Sequence, residues 1–165
     1  QIDKTGTYSP GYYPDGLNAT ASEVINLEPG SYMIGDSFKL GGSARVNGTG
    51  ITIFCEKGVD IDVSASEAGM NTTPPAEGPF MGIAVFMHPQ TTGPAVVKIG
   101  GGGVFKVEGI IYVPGGEVVL GGTPGKEIGA ILANTLKMEG ITGYTITGKG
   151  VPKLTDDIES IYLVE

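Results

Sequence analysis

The chain has 165 residues, enough for one domain with a substantial core. Its 29 glycines and 11 prolines would suit a low-complexity chain, but 40% hydrophobic residues exclude disorder, so the glycines read as turn residues. A net charge of −8 with Arg45 as the sole arginine excludes nucleic acid as a partner, because phosphate binding needs concentrated positive charge, and no apolar run reaches the ~18 residues of a membrane span.

Residues 1–21 are rich in Tyr, Pro and Gly and read as an N-terminal arm or cap. Within them Tyr8, Tyr12 and Tyr13 are candidates for stacking on a sugar or a neighbouring subunit, or for covering the end of a core. Strands begin at Val24, where VINL and SYMI flank Pro29 and Gly30, a pair suited to a type II turn.

Residues 38–54, FKLGGSARVNGTGITIF, return as residues 97–113, VKIGGGGVFKVEGIIYV. Lys39 aligns with Lys98, Leu40 with Ile99, and Gly41 and Gly42 with Gly100 and Gly101; past one short insertion Val46 aligns with Val107 and Gly48 with Gly109. A fainter copy follows at residues 136–147. Ile99, Leu120 and Met138 repeat an apolar residue before glycine at intervals of about 20 residues. Imperfect repeats of this length, rich in glycine and β-branched residues, predict an all-β fold, a short single-domain parallel β-helix or β-solenoid. The expected organisation is a cap at 1–21, the solenoid at 22–150 and a cap or partner-pairing strand at 151–165.

Cys55 lies at strand spacing in ITIFCEKGV and reads as a small buried core thiol. A catalytic thiol would need a base, and His88 is the single histidine. In GVDIDVSAS the alternation puts Val59, Ile61 and Val63 on one face and Asp60 and Asp62 on the other. Two carboxylates about 7 Å apart along a strand are a candidate Ca²⁺ site or acid/base pair, or simply a solvated outer face.

Residues 67–79 break the strand pattern and predict a projecting loop, GIAVFM a fully buried strand, and residues 88–95 a second loop. Residues 96–122 hold three apolar runs separated by glycine corners; GGGG at 100–103 is such a corner and not a phosphate loop, since no Gly-Lys-Ser/Thr follows. EIGAILANTL mixes periods but fits a further strand with Asn134 at its corner, and no asparagine ladder is visible. The tail combines a charged turn at Asp156, Asp157 and Glu159 with the strand-like IYLV.

Sequons at Asn18, Asn47 and Asn71 exceed what five asparagines would give by chance and fit a secreted, extracellular or cell-surface glycoprotein. A chain opening on Gln1 is expected to be a mature form whose leader has been removed. A lyase of acidic polysaccharides needs bases and cations that Arg45 alone does not supply, and no catalytic set emerges.

The stretches GPFMGIAVFM, VKIGGGGVFKVEGIIYVPGGEVVLGG and IGAILANTLKMEG resemble the C-terminal β-solenoid region of tight-adherence (Tad) pilus accessory proteins. Gly78, Pro79, Phe80, Gly82 and Ile83 carry the first motif, Gly109, Ile111, Tyr112 and Pro114 the second, and residues 131–134 the last. The cellulose-adhering β-helix proteins are a looser likeness. These resemblances imply a surface or pilus-associated solenoid and transfer no catalytic residues.

The expectation is a non-enzymatic extracellular structural or adhesion protein, a homopolymer subunit that assembles end to end into a surface filament because a solenoid exposes strand edges at both ends. A carbohydrate-binding module using Tyr8, Tyr12, Tyr13 or a strand face is the alternative, followed by a polysaccharide-active enzyme using Asp60 and Asp62. No cofactor is expected apart from the candidate Ca²⁺.

Overall fold

A computed structural model of the chain describes residues 1–89, 95–140 and 143–153. The chain winds as a parallel β-solenoid, with strand and no helix among these residues. The first coil holds β1 (Gly6–Tyr8), β2 (Gly11–Tyr13) and β3 (Leu17–Ala19), and the second β4 (Val24–Leu27), β5 (Gly30–Ile34) and β6 (Phe38–Leu40). The third holds β7 (Arg45–Gly48), β8 (Ile51–Cys55) and β9 (Ile61–Val63), and the fourth β10 (Gly69–Thr72), β11 (Ile83–Met87) and β12 (Val96–Ile99). In the next two coils the runs are continuous, as β13 (Phe105–Leu120) and β14 (Lys126–Met138), and β15 (Tyr144–Ile146) starts another.

Each strand pairs in parallel with its equivalent one coil away, which generates three faces. The first runs through β1, β4, β7 and β10, the second through β2, β5, β8 and β11, and the third through β3, β6, β9 and β12; β13 and β14 bend across all three. Side chains alternate in and out along each strand, so the inward residues of successive coils stack in columns. One such column is Leu17, Phe38, Ile61, Val97 and Val118, all buried. Another is Ile34, Cys55 and Met87, which makes Cys55 the core thiol its spacing predicts.

Polar groups inside the coil are nearly all bonded. Tyr32, fully buried, donates from one hydroxyl towards the carbonyls of Tyr8 and Glu28, 2.7 Å each, and burial pushes its phenol up to about 12. Lys126 is 1% exposed; its ammonium donates to the carbonyls of Gly101 (2.9 Å) and Thr123 (2.6 Å) and lies 5.7 Å from the centre of the Tyr144 ring. Desolvation holds its pKa below the usual lysine value. Thr72 is the exception, an inward hydroxyl between Gly48 and Val107 with no partner.

The corners after the third face explain the paired glycines. Gly42, Gly101 and Gly122 have φ of 53°, 67° and 82°, a region open to glycine. A Cβ at Gly101 would also collide with the Ala65 carbonyl oxygen of the coil below.

Four expectations need correction. Residues 1–21 are not an arm: they form the first coil, in which the inward positions of β1 and β2 are Gly and Tyr while β3 turns Leu17 and Ala19 inward, and Ile2 bridges Leu17 at the end of the solenoid. The loop at 67–79 is interrupted by β10, because Met70 and Thr72 continue inward columns from Val46 and Gly48. The repeats align without a gap up to Val107: Val46 shares a column with Phe105 and Gly48 with Val107, both through β10, and the slip falls later, between Ile83 and Val85. The strand expected to be fully buried, β11, turns Phe86 outward. The tail features at Asp156, Asp157, Glu159 and residues 161–164 lie outside the described residues.

Two substitutions separate these effects. Gly101→Ala places a Cβ against backbone at positive φ and is expected to destabilise by at least about 2 kcal/mol. Thr72→Val removes an unbonded buried hydroxyl at constant shape and is expected to stabilise by about 1 kcal/mol. Urea midpoints at constant slope measure both; a shift of the same sign in the two variants would contradict the account.

Candidate binding surface

Stacking acts outside the coil as it does inside, and gives each face its own chemistry. On the first face Thr7, Asn26, Asn47 and Asn71 stand in register, followed by Lys106 and Glu127. Asn47 donates from Nδ2 to Oδ1 of Asn26 at 3.2 Å, so an asparagine ladder exists on this flat outer face rather than at a corner. On the third face Asn18, Lys39, Asp62, Lys98, Val119 and Lys137 form a mostly charged column.

The second face differs. Tyr12, Met33, Phe54, Phe86, Tyr112 and Leu132 occupy one outward column, one residue per coil, each paired in register with the next. At about 4.8 Å between strands the column is about 24 Å long. Its rings touch: Phe54 and Phe86 have centroids 5.7 Å apart at 44°, and Phe86 and Tyr112 5.1 Å apart at 43°. Tyr12, Met33 and Leu132 are 56%, 44% and 53% exposed, so the ends of the column are the more open to solvent.

The segment between β10 and β11 leans over this face. Phe80 stands edge-on to Phe54 at 4.7 Å, and the hollow beneath it is lined by Tyr12, Ser31, Met33 and Phe54. A second hollow, lined by Met33, Phe54, Phe86, Glu56 and His88, borders the column where the strands end. The Tyr12 hydroxyl donates to Glu56 at 3.3 Å. Desolvation and the Glu56 charge both raise the phenol's pKa.

The three tyrosines singled out from the sequence part company here. Tyr8 and Tyr13 turn to the core, where Tyr13 stacks on Tyr32 at 6.0 Å, and their hydroxyls donate to the carbonyls of Lys4 and Ser9. Tyr12 alone of them lies in the outward column.

The aspartates serve local structure. Asp60 accepts the Val96 amide at 2.8 Å, and Asp62 accepts the amide and hydroxyl of Ser64 while standing in register between Lys39 and Lys98. Lysines on either side disfavour a cation there, and the described residues contain no group of three or more acidic, His or Cys side chains placed to hold a metal.

Of the sequon asparagines, Asn18 accepts from Ser37, Asn47 is tied to Asn26, and Asn71 is exposed. The column residues beyond Tyr12 escaped the sequence analysis, although each is the middle of a short phrase flanked by inward residues: YMI, IFC, VFM, IYV and ILA. No family model, curated protein or solved structure matches the chain.

Burial raises the Cys55 pKa, with the Asp60 charge adding to it, and keeps the thiol from solvent. A chromogenic disulfide reagent at pH 8 is expected to leave native protein unmodified and to label one thiol per chain in denaturant; rapid native labelling would refute the burial.

Proposed function

We propose that this chain is a non-enzymatic structural module of a cell-surface assembly, held to its surroundings through the apolar column on its second face. The observation that carries this reading is the column itself. Six large side chains are stacked outward in one line on a protein whose other two faces are amide-rich and charged. An apolar line of this kind, exposed at Tyr12, Met33 and Leu132 and half-buried at the three rings between them, is costly in water and marks a contact site.

Contact through an apolar surface fits better than a flat sugar platform. The rings in the column are tilted by over 40° to their neighbours rather than coplanar, and two of the three candidate sugar-stacking tyrosines belong to the core. The likeness to tight-adherence pilus solenoids and the exposed Asn71 sequon point to the same cell-surface setting.

A second reading, assembly through the solenoid ends, has its own support. Leu136, Met138 and Ile146 continue the inward columns of Val118, Leu120 and Ile128, yet are 53%, 57% and 57% exposed, so among the described residues the last coil presents core positions outward. The opposite end is closed by Ile2. The two ends are therefore unlike, as a heterologous head-to-tail contact requires.

The test of the first reading is the fraction of chain retained on the surface of cells that secrete it. A Phe54→Ser/Phe86→Ser variant with unchanged far-ultraviolet circular dichroism is expected to lose retention at least tenfold. Equal retention of folded variant and wild type would overturn the reading.

A further inference from the structure

We infer that the apolar column is the interface of an antiparallel two-fold dimer, in which it packs against the same column of a second copy; the inference rests on the reading of that face as a contact surface. The column has one residue in each of six coils, so a two-fold axis parallel to the strands, between β8 and β11, exchanges the third coil with the fourth, the second with the fifth and the first with the sixth.

That operation sets Phe54 against Phe86 of the second copy, Met33 against Tyr112 and Tyr12 against Leu132. Every pairing is apolar, and each is of a kind that packs favourably: ring on ring, thioether on ring, ring on aliphatic. A parallel arrangement would instead oppose Met33 to Met33 and Leu132 to Leu132, leaving the central rings to meet only their own copies.

The bordering polar residues obey the same operation. Glu56 follows Cys55 and His88 follows Met87, so they lie at the same strand end in adjacent coils; their amides donate to Ile34 and Cys55 carbonyls, continuing the parallel ladder. The axis brings Glu56 of one copy opposite His88 of the other, twice. A carboxylate accepts, and an imidazole carries an N–H donor in either protonation state. The overhanging segment is accommodated likewise. Phe80 stands over Phe54 and lines the hollow with Tyr12 and Met33, in the early coils, so the two-fold sets the Phe80 of the second copy over the later coils and both rings enter the contact.

The area is of the right order. Large side chains present about 150–250 Å² each; Tyr12, Met33, Leu132 and Phe80 expose roughly half of that and the half-buried Phe54, Phe86 and Tyr112 a smaller part, together on the order of 500 Å² per copy. Two copies bury on the order of 1,000 Å², the lower bound for a specific association, so a reversible dimer is expected rather than an obligate one.

The full chain, studied by sedimentation velocity across a concentration series into the hundreds of micromolar, is expected to pass from monomer to dimer. Phe54→Ser/Phe86→Ser is expected to stay monomeric, with the milder Tyr112→Ser weakening dimerisation at least tenfold if the double variant does not fold. Orientation is read by chemistry. Met33→Cys and Tyr112→Cys chains, treated with a short bis-maleimide, are expected to give covalent dimer at least tenfold better when mixed than when either is alone, and the buried Cys55 does not compete.

A wild type that stays monomeric throughout overturns the dimer, as does dimerisation unaffected by the column variants. Cross-linking that is equal or stronger within either single variant overturns the antiparallel order. The proposed function fails on a different observation, retention on cells, so a monomer whose retention needs Phe54 and Phe86 would sink this inference and leave that reading standing.

Discussion

Parallel stacking of one coil on the next is the constraint from which the rest of the molecule follows. Backbone N–H and C=O groups of a strand bond to residues flanking the equivalent position in the adjacent coil, about 4.8 Å away, so any residue must tolerate its counterpart as a touching neighbour. Inside, this favours apolar side chains stacked on apolar side chains, as in Leu17, Phe38, Ile61, Val97 and Val118. At the corners it favours glycine, because the carbonyl of the coil below occupies the space of a Cβ, as Ala65 does beneath Gly101.

The same constraint sorts the outer surface. A polar residue gains from an identical neighbour when the pair can share a hydrogen bond, as Asn26 and Asn47 do, and charges gain when signs alternate, as in Lys39, Asp62 and Lys98. Large apolar side chains gain by burying each other's flanks. A line of them nevertheless leaves its outer surface wet, and the second face holds six in a row. Departures from regular stacking are local: the slip between Ile83 and Val85 sits where the segment bearing Phe80 leaves and rejoins the coil, and Thr52 there donates to the Ile83 carbonyl at 2.8 Å.

Much of the fold was legible in the order of residues, and the reasons are specific. The marks at Ile99, Leu120 and Met138 do stack directly, each closing the third face before a corner that contains glycine. The core position of Cys55 followed from alternation alone. What failed to show was the first coil, whose inward Tyr32 neighbours are Gly11 and Tyr13 rather than aliphatics, and β10, whose four residues GMNT carry no β-branched run. For the surface, the tyrosines of the first coil look alike in sequence, yet one residue of register decides that Tyr12 points out and Tyr13 in.

The sequence by itself determined the class of fold and the chemistry of its corners, because both depend on local features, alternation of two residues and glycine pairs recurring at about 20 residues. Which residues share a column was decided only in the tertiary structure. Column membership depends on counting from coil to coil across a segment of irregular length and three register shifts, and a single miscount moves every side chain to the opposite side of the sheet. The apolar column, the asparagine ladder and the alternating lysines and aspartate are all relations of that kind, which is why the candidate contact surface emerged from stacking and not from any motif.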